Sequence, residues 1–536
     1  FSGNATTDND ITGFEHFIQQ MQDAQVPFRF AANFTVIFKG ACVEVDSKYE
    51  DFIHTLDAAS NVWPMQQSSI NVRNVLYERT EYAPRAMVEH QFTGVDRLHQ
   101  EFQLTGKGVK IGVLDSGIDY THPAFGGCFK TSGCRLETGY DFVGDNFNGT
   151  NLPEPDDNPL DNCYGHGTHV AGIIAGNHGE FRGVAPDATL GIYRVLGCDG
   201  STNSGIVMQA LEKACLDGMQ VINLSLGFPG GWIMWSEAQM VETLAQRGIK
   251  VVAAVGNDGM NGLFTMNSPA VSPGALAVAA MEMPQYNLPY MKLSLDQPVY
   301  IRRWYQQNYF PSLDVQGKPL RSASQGGQGH LACEKLGNLA DAVVLVESGG
   351  CSFADKVRNI AEAGGAVAVF YSNETQAFLE LESQEAVPIP AFSIYYTDAQ
   401  YMLGQLAKRS NIPVFISDDI ILFNSTAAYS TPGFSSMGPT PEGHAKADIS
   451  GPAVNILSAV PKKYGSYGII TGTSMASPYV AGVVALLIGA KKINTTEALR
   501  SQLVHTARPQ RDGGTYRSVA QQGGGLVDAY AALLAN

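Results

Sequence analysis

Positive charge is scarce in this chain and nowhere concentrated. Lysine and arginine total 35 of 536 residues against 51 aspartates and glutamates, giving a formal net charge of -16 and a pI near 5.1. Nucleic-acid binding is driven by Lys and Arg neutralising phosphates, so this balance excludes a nucleic-acid partner. Long unbroken apolar runs are missing too. Stretches such as VAGVVALLIGA (480–490) read as too short, or too broken by polar residues and proline, to span a bilayer, and no membrane partner is expected. The sequence opens on FSGNATTDND, where a secretory leader would show a basic and then an apolar segment. Charged residues of both signs make up only 16%, while apolar ones reach 44% and glycines number 57. That composition implies a globular chain with many tight turns and excludes disorder for most of it. At about 150 residues per domain, the length allows roughly three or four units, or one large core.

Eight cysteines are present, and sequons stand at Asn4, Asn33, Asn148, Asn373, Asn424 and Asn494 in polar, loop-like text. Together they point to a secreted glycoprotein. The sequon at Asn223 lies inside an apolar strand and is expected to be unused.

Four stretches differ in texture. Residues 1–84 combine helical FEHFIQQMQDA, an alternating strand pair FRFAANFTVIFKGACVEV and a second helix YEDFIHTLDAA, a small α+β unit. From 85 to 290, short apolar strands alternate with helices, as in GVKIGVLDSG, GTHVAGIIAG, ATLGIYRVLG and VETLAQRGIKVVAAVGNDG. This alternation predicts an α/β fold, a parallel sheet with helices on both faces and function gathered at the carboxyl ends of its strands. Residues 291–425 break the pattern with a block of strand, helix, strand, short strand and helix. Residues 426–536 resume it, so the block reads as inserted into the α/β unit.

Ser474 lies in ITGTSMASPYV, where a strand turns into a long apolar helix. A serine hydroxyl is a weak nucleophile that needs a base, and the base needs an orienting group. Both stand in similar settings. Asp115 ends the strand VKIGVL, and His166 fronts the helix of YGHGTHVAGIIAG. At the helix start of Ser474, free N–H groups and the dipole favour developing negative charge, and Pro478 comes early enough to be tolerated. Asn257, ending the strand in VVAAVGNDG, offers an amide as a second donor to an oxyanion.

In this order VLDSGID, GHGTHVAG, AVGNDG and GTSMASP resemble the motifs of the subtilases, a family of serine endopeptidases. The resemblance covers most of residues 90–280 and 425–536. It implies that Asp115 orients the imidazole, His166 takes the proton, Ser474 attacks the peptide carbonyl and Asn257 binds the oxyanion. NLSLG (223–227) resembles the family strand that pairs with substrate backbone, which makes Ser225, Leu226 and Gly227 contacts for extended polypeptide. The same likeness sets Gly256, Asp258 and Asn267 around the primary specificity pocket. Asp258 there either accepts a basic side chain or is a surface carboxylate, Asn267 lines the base, and cleavage is expected after large residues.

The inserted block resembles a protease-associated domain. Residues 1–84 resemble the tail of a subtilase propeptide, a chaperone and inhibitor whose usual first strand would lie before Phe1. Cutting is expected in ERTEYAPRAMVEH (78–90), as in a monomeric, self-processing zymogen. No cofactor is required on this reading. Many subtilases bind calcium through an acidic residue after the His-Pro that follows the catalytic Asp; here Ala124 stands there, and the completing loop is absent from AGNHGEFRGVAP, so no strong site is expected. The acidic loop NLPEPDDNPLDN (151–162) either binds calcium weakly or is a solvated loop. His169, without the glutamate of H-E-x-x-H chemistry, is expected to be structural, and His122 and His444 structural or exposed. Cysteine spacing alone fixes no connectivity. Cys128 with Cys134, Cys163 with Cys198 and Cys333 with Cys351 are the expected pairs, leaving Cys42 and Cys215 as buried thiols. Two rivals stand beside the endopeptidase: a catalytically silent module that binds protein through the insertion, and a protease cutting at basic processing sites.

Overall fold

The computed structural model describes residues 10–70, 76–79, 87–293, 298–300, 302–303, 315–326, 330–372, 387–425, 427–491, 493, 495–512 and 514–535. Seven parallel strands form its central sheet, in the spatial order Ile449–Pro452, Ala275–Met281, Lys250–Ala254, Val221–Leu224, Lys110–Asp115, Thr189–Arg194 and Leu136–Asp141. Every residue of Val221–Leu224, Lys250–Ala254 and Ala275–Met281 is buried, because helices cover both faces; hence these strands are apolar runs broken only by Asn223 and Lys250 rather than alternating ones. One face carries helices His166–Ala175 and Thr473–Lys491 over a core that includes Ile111, Val170, Val252 and Val480. The other carries Ser204–Leu216 and Ser236–Gln246 over Leu114, Leu211, Ile222 and Val251. The α/β architecture read from the sequence is the one observed.

Strand Lys110–Asp115 is where the order reverses. The chain goes on to Leu136–Asp141 and Thr189–Arg194 on one side of it and then to Val221–Leu224 on the other. A crevice opens outside the carboxyl ends of strands at such a switch point. Asp115 is the last residue of that strand.

The helix Thr473–Lys491 corrects one expectation. Its first 18 residues are long and apolar enough to cross a membrane, despite Ser474, Ser477 and Pro478, yet 89% of them are buried inside the protein. A helix apolar all round is a core helix, and this one packs on His166–Ala175 and on four neighbouring strands.

The stretch 285–424 carries a second, eight-stranded sheet, ordered Pro298–Tyr300, Gln285–Leu293, Pro413–Asn424, Val315–Ser322, Val343–Glu347, Val367–Tyr371, Ala391–Ser393 and Arg302–Arg303. Helices Phe353–Glu362 and Tyr396–Leu406 pack on it through two cores of its own. The chain enters and leaves along one antiparallel ribbon, Gln285–Leu293 against Pro413–Asn424. The flanking strands Ala275–Met281 and Ile449–Pro452 are therefore direct neighbours in the central sheet.

Helix Asp10–Asp23, the hairpin of Phe28–Phe34 with Gly40–Val45 and the short helix Glu50–Ile53 enclose a small core of Phe17, Met21, Val26, Ile53 and Leu56. This unit rests on the helices Ser204–Leu216 and Ser236–Gln246. The Glu212 carboxylate accepts from the backbone N–H groups of Thr35, Val36 and Ile37 at 3.2, 2.8 and 3.2 Å. Arg247 donates to Val36 O, and Trp63 Nε1 donates to Met234 O at 2.7 Å. The chain then runs as strand Gln67–Ser69 along Ser201–Asn203, and as Leu76–Arg79 along Ser466–Ile470, both antiparallel. Of the expected cutting region, residues 80–86 lie outside the described residues.

Disulfides join Cys128 to Cys134, Cys163 to Cys198 and Cys333 to Cys351. Cys42 and Cys215 are free, but half-buried rather than buried; Cys215 sits next to exposed Leu216 at the end of its helix. Asn33, Asn148 and Asn424 are exposed, whereas Asn223 is fully buried. Asn4, Asn373 and Asn494 lie outside the described residues.

Candidate active site

Asp115 and His166 meet at the carboxyl edge of the sheet, 1% and 2% exposed. His166 Nδ1 lies 2.7 Å from Asp115 Oδ1. A carboxylate can only accept, so Nδ1 carries the proton and the Nε2 lone pair is left for other work. The backbone delivers the ring there by a sharp turn. Gly165 has φ +90°, a conformation that favours glycine, and His166 is the first residue of its helix. The next residue must also be glycine, since a Cβ on Gly167 would stand 2.1 Å from the backbone oxygen of Gly117.

Ser474 is the second residue of its helix and 6% exposed. Pro478 has no N–H, so the Ser474 carbonyl, four residues earlier, lacks its intrahelical donor. Ser225 Oγ takes that place, donating to Ser474 O at 2.8 Å. In return Ser474 Oγ donates to Ser225 O at 2.9 Å. Among the described residues no hydrogen bond joins Ser474 to His166. Asn223, beneath Ser225, donates to its hydroxyl at 3.0 Å and accepts from Ser477 Oγ at 2.8 Å. The start of the Ser474 helix is thereby locked to strand Val221–Leu224.

Asn257 Oδ1 accepts from Thr473 N at 3.1 Å and from Thr473 Oγ1 at 3.0 Å. Fixing the amide oxygen in this way turns the amide N–H groups away from Thr473. The segments Ser225–Gly227 and Gly256–Asp258 flank Asn267, which is 8% exposed. A Cβ on Gly227 would stand 2.8 Å from Asn267 Cβ, and one on Gly256, at φ +106°, would stand 2.7 Å from its amide carbon Cγ. Oriented to donate, that amide reaches Asp258 Oδ2 at 3.2 Å and Thr265 O at 3.3 Å. Gly227, Gly256, Asp258 and Asn267 thus form one tight group, with Leu226 buried beside it.

The Subtilase family profile matches residues 106–525. The chain belongs to the subtilase family. This subtilase is similar to the minor extracellular protease Vpr of Bacillus subtilis, 32% identical over 433 residues that cover 78% of the chain and 51% of the relative. It is also similar to the subtilisin-like protease SBT3.17 of Arabidopsis thaliana, at 28% identity over 68% of the chain and 50% of the relative. The PII-type proteinase of Lactococcus lactis subsp. cremoris is 25% identical over 84% of the chain and 27% of the relative. The chain spans about half or less of the length of these relatives.

Three residues that the sequence reading passed over belong to this subtilase's site. Asp161, fully buried, gathers four donors: Cys163 N at 3.0 Å and Tyr164 N at 2.9 Å on Oδ1, Gly165 N and Ser116 Oγ, each at 2.6 Å, on Oδ2. Ser116 Oγ accepts in turn from Gly167 N at 2.8 Å. Tyr164, one turn residue away from His166, reaches across to Ile70.

The acidic loop is not simply solvated. Asp156 forms a backbone bridge with Asp141, and between Asp141 and the disulfide lies buried Arg194, whose Nη1 donates to Asp145 Oδ1 at 2.7 Å, Asp141 Oδ2 at 3.2 Å and Leu160 O at 3.2 Å. Burial nonetheless raises the Asp141 carboxyl above its ordinary range. His169 is buried with Nε2 on Ile456 O and Gly468 O, and desolvation pushes it down to about 3, so it is a neutral structural residue. His122 is buried as well, bonded to Ser466 O at 2.8 Å and pushed down by burial to about 4, whereas His444 is exposed.

Proposed function

We propose that this chain is the proteolytic part of a secreted serine endopeptidase that cuts extended polypeptides and is made as a zymogen. The observation that carries this reading is the buried Asp115–His166 pair at the same sheet edge as Ser474, in a subtilase domain. Ser474 Oγ turns from Ser225 O to His166 Nε2, gives up its proton there and bonds to the peptide carbonyl carbon. Negative charge on the carbonyl oxygen is met by the Asn257 amide and by N–H groups at the helix start. His166 returns the proton to the departing amine, and water, deprotonated by the same nitrogen, releases the acyl group. Asp115 holds the ring and stabilises its charged form throughout.

Residues 1–84 act as the inhibitor. Strand Gln67–Ser69 adds to Ser201–Asn203, and Ser68 Oγ donates to Gly227 O at 2.7 Å, which supports a chain lying in the cleft as a substrate would. Three disulfides, exposed Asn33, Asn148 and Asn424, and the extracellular relative Vpr support secretion. Residues 291–425 serve as a protease-associated insertion.

Intact-mass analysis with N-terminal sequencing, comparing the chain with Ser474→Ala, tests this reading. Only the unchanged chain is expected to cut itself between about residues 78 and 90 and then to hydrolyse casein. If neither protein is cut, and neither hydrolyses casein after an added protease removes the first 84 residues, the catalytic reading falls.

A further inference from the structure

The segment Gln66–Ile70 displays the contacts that this cleft makes with a chain. Gln66 exchanges bonds with Ser204, through Gln66 N to Ser204 Oγ at 3.0 Å and Ser204 N to Gln66 O at 2.9 Å. Ser68 pairs with Thr202, and Ile70 N donates to Gly200 O at 2.9 Å. On the far side of Ile70, the Tyr164 hydroxyl donates to the Ile70 carbonyl. Ile70 is therefore held at both of its backbone groups, by a main-chain acceptor and a side-chain donor.

The surroundings are built for this meeting. Gly200 has φ +81°, and a Cβ there would lie 2.5 Å from Ile70 O and 2.6 Å from the Tyr164 hydroxyl, so only glycine lets the two approach. Tyr164 is 5% exposed, its N–H is fixed by Asp161, and its ring lies 6.3 Å from that of His166. Its neighbour Cys163 is bridged to Cys198, two residues before Gly200. The donor and the strand end that faces it are thus covalently tied.

We propose that Tyr164 is a substrate-binding residue: its hydroxyl hydrogen-bonds the main-chain carbonyl of whichever substrate residue occupies the place of Ile70. The inference rests on the proteolytic reading above. A phenol that addresses a carbonyl reads no side chain, so it fixes register and affinity without selecting sequence. Its position directly before the Gly165–His166 turn couples that register to the imidazole.

Tyr164→Phe removes the hydroxyl alone. The processed proteins, with active centres counted by a fluorophosphonate probe on Ser474, are assayed on peptide nitroanilides lengthened one residue at a time before the cleaved bond. In the unchanged enzyme, adding the residue that brings this carbonyl raises kcat/KM by roughly threefold to tenfold, the range of one neutral hydrogen bond. Tyr164→Phe loses that step and keeps the others, with the loss in KM. Replacing the same carbonyl by a methylene in the substrate costs the unchanged enzyme as much and costs the variant nothing further. An equal fall at every length, or no change at any length, overturns the proposal. Should Tyr164→Phe fail to label, the methylene substrate on the unchanged enzyme decides: an undiminished kcat/KM overturns the proposal, and the expected drop supports it. Silence of the unchanged enzyme toward both probe and peptides is the separate failure of the proteolytic reading, and takes this one with it.

Discussion

A carboxylate surrounded by four donors holds the loop that carries the histidine. Replacing Asp161 with Ala leaves Cys163 N, Tyr164 N, Gly165 N and Ser116 Oγ without their acceptor in a buried place. The expected cost is about 3 kcal/mol, read from urea unfolding, with a fall in kcat on short peptides because the turn before His166 loosens. An unchanged midpoint would show that the loop is held by its disulfide alone. At this scale the placing of Asp115, His166, Ser474 and Asn257 was legible, because each stands in a local pattern, a strand end or a helix start, that states its setting. Asp161 was not. It sits in an acidic loop and looks solvated; three of its donors are nearby backbone N–H groups that the residue types do not announce, and the fourth, Ser116, lies 45 residues earlier. Tyr164 was missed for the same reason, since its partner Ile70 lies 94 residues away.

The Ser474 helix carries titratable groups behind the end that bears Ser474. Tyr479 OH meets His90 Nδ1 at 2.8 Å and Thr93 Oγ1 at 2.7 Å, and the ring of His99 lies 5.6 Å from that of His90. Asp96, Asp187 and Arg182 act on His99, and Glu89 and Asp96 on Tyr479. Burial pushes the Glu89 carboxyl up from 4.5 to about 7 and the His90 imidazole down from 6.5 to about 3. Between pH 4.5 and 7 the folded protein holds a Glu89 proton that the unfolded chain has lost, so this contribution to stability fades as pH rises. His90 works in the opposite sense, and its contribution fades as pH falls from 6.5 toward 3. Glu89→Gln is therefore expected to gain stability relative to the parent at pH 8, by roughly 2–3 kcal/mol, and little at pH 4. Melting temperature against pH for the two proteins checks this; parallel curves would mean that Glu89 ionises without penalty. Helix length and Pro478 were readable in sequence, but the partner of the carbonyl that Pro478 leaves vacant was not, because Ser225 arrives from another strand.

The three units of the molecule were legible to different degrees. Alternation of apolar strands with helices announced the parallel sheet, since strands buried on both faces admit few polar residues. The eight-stranded sheet of the insertion was only partly visible: its block of strands and helices showed, but the long ribbon of Gln285–Leu293 with Pro413–Asn424 pairs segments more than a hundred residues apart. For the same reason the pairing of Gln67–Ser69 with Ser201–Asn203 left no local mark. Charge balance also operates at this scale. Lys130 Nζ lies 3.8 Å from Asp157 Oδ1 in the acidic loop, and beside the loop Arg194 is set between Asp141 and Asp145. On the expectation that no calcium is tightly held here, EDTA at neutral pH leaves the melting temperature within about 1 °C, since an ion bound only to the folded state would raise it. A fall of several degrees that calcium reverses would overturn this.

Pro478 has a consequence for how the protein comes into being. A helix ordinarily completes its hydrogen bonds from within, whereas this one has an open place at the carbonyl of Ser474, which Ser225, directly after strand Val221–Leu224, closes. Until the sheet has formed and the helix has docked, the serine is neither aimed nor supported. On the proteolytic reading proposed above, a nascent chain built this way has no working serine for its inhibitor to cover until the sheet is complete.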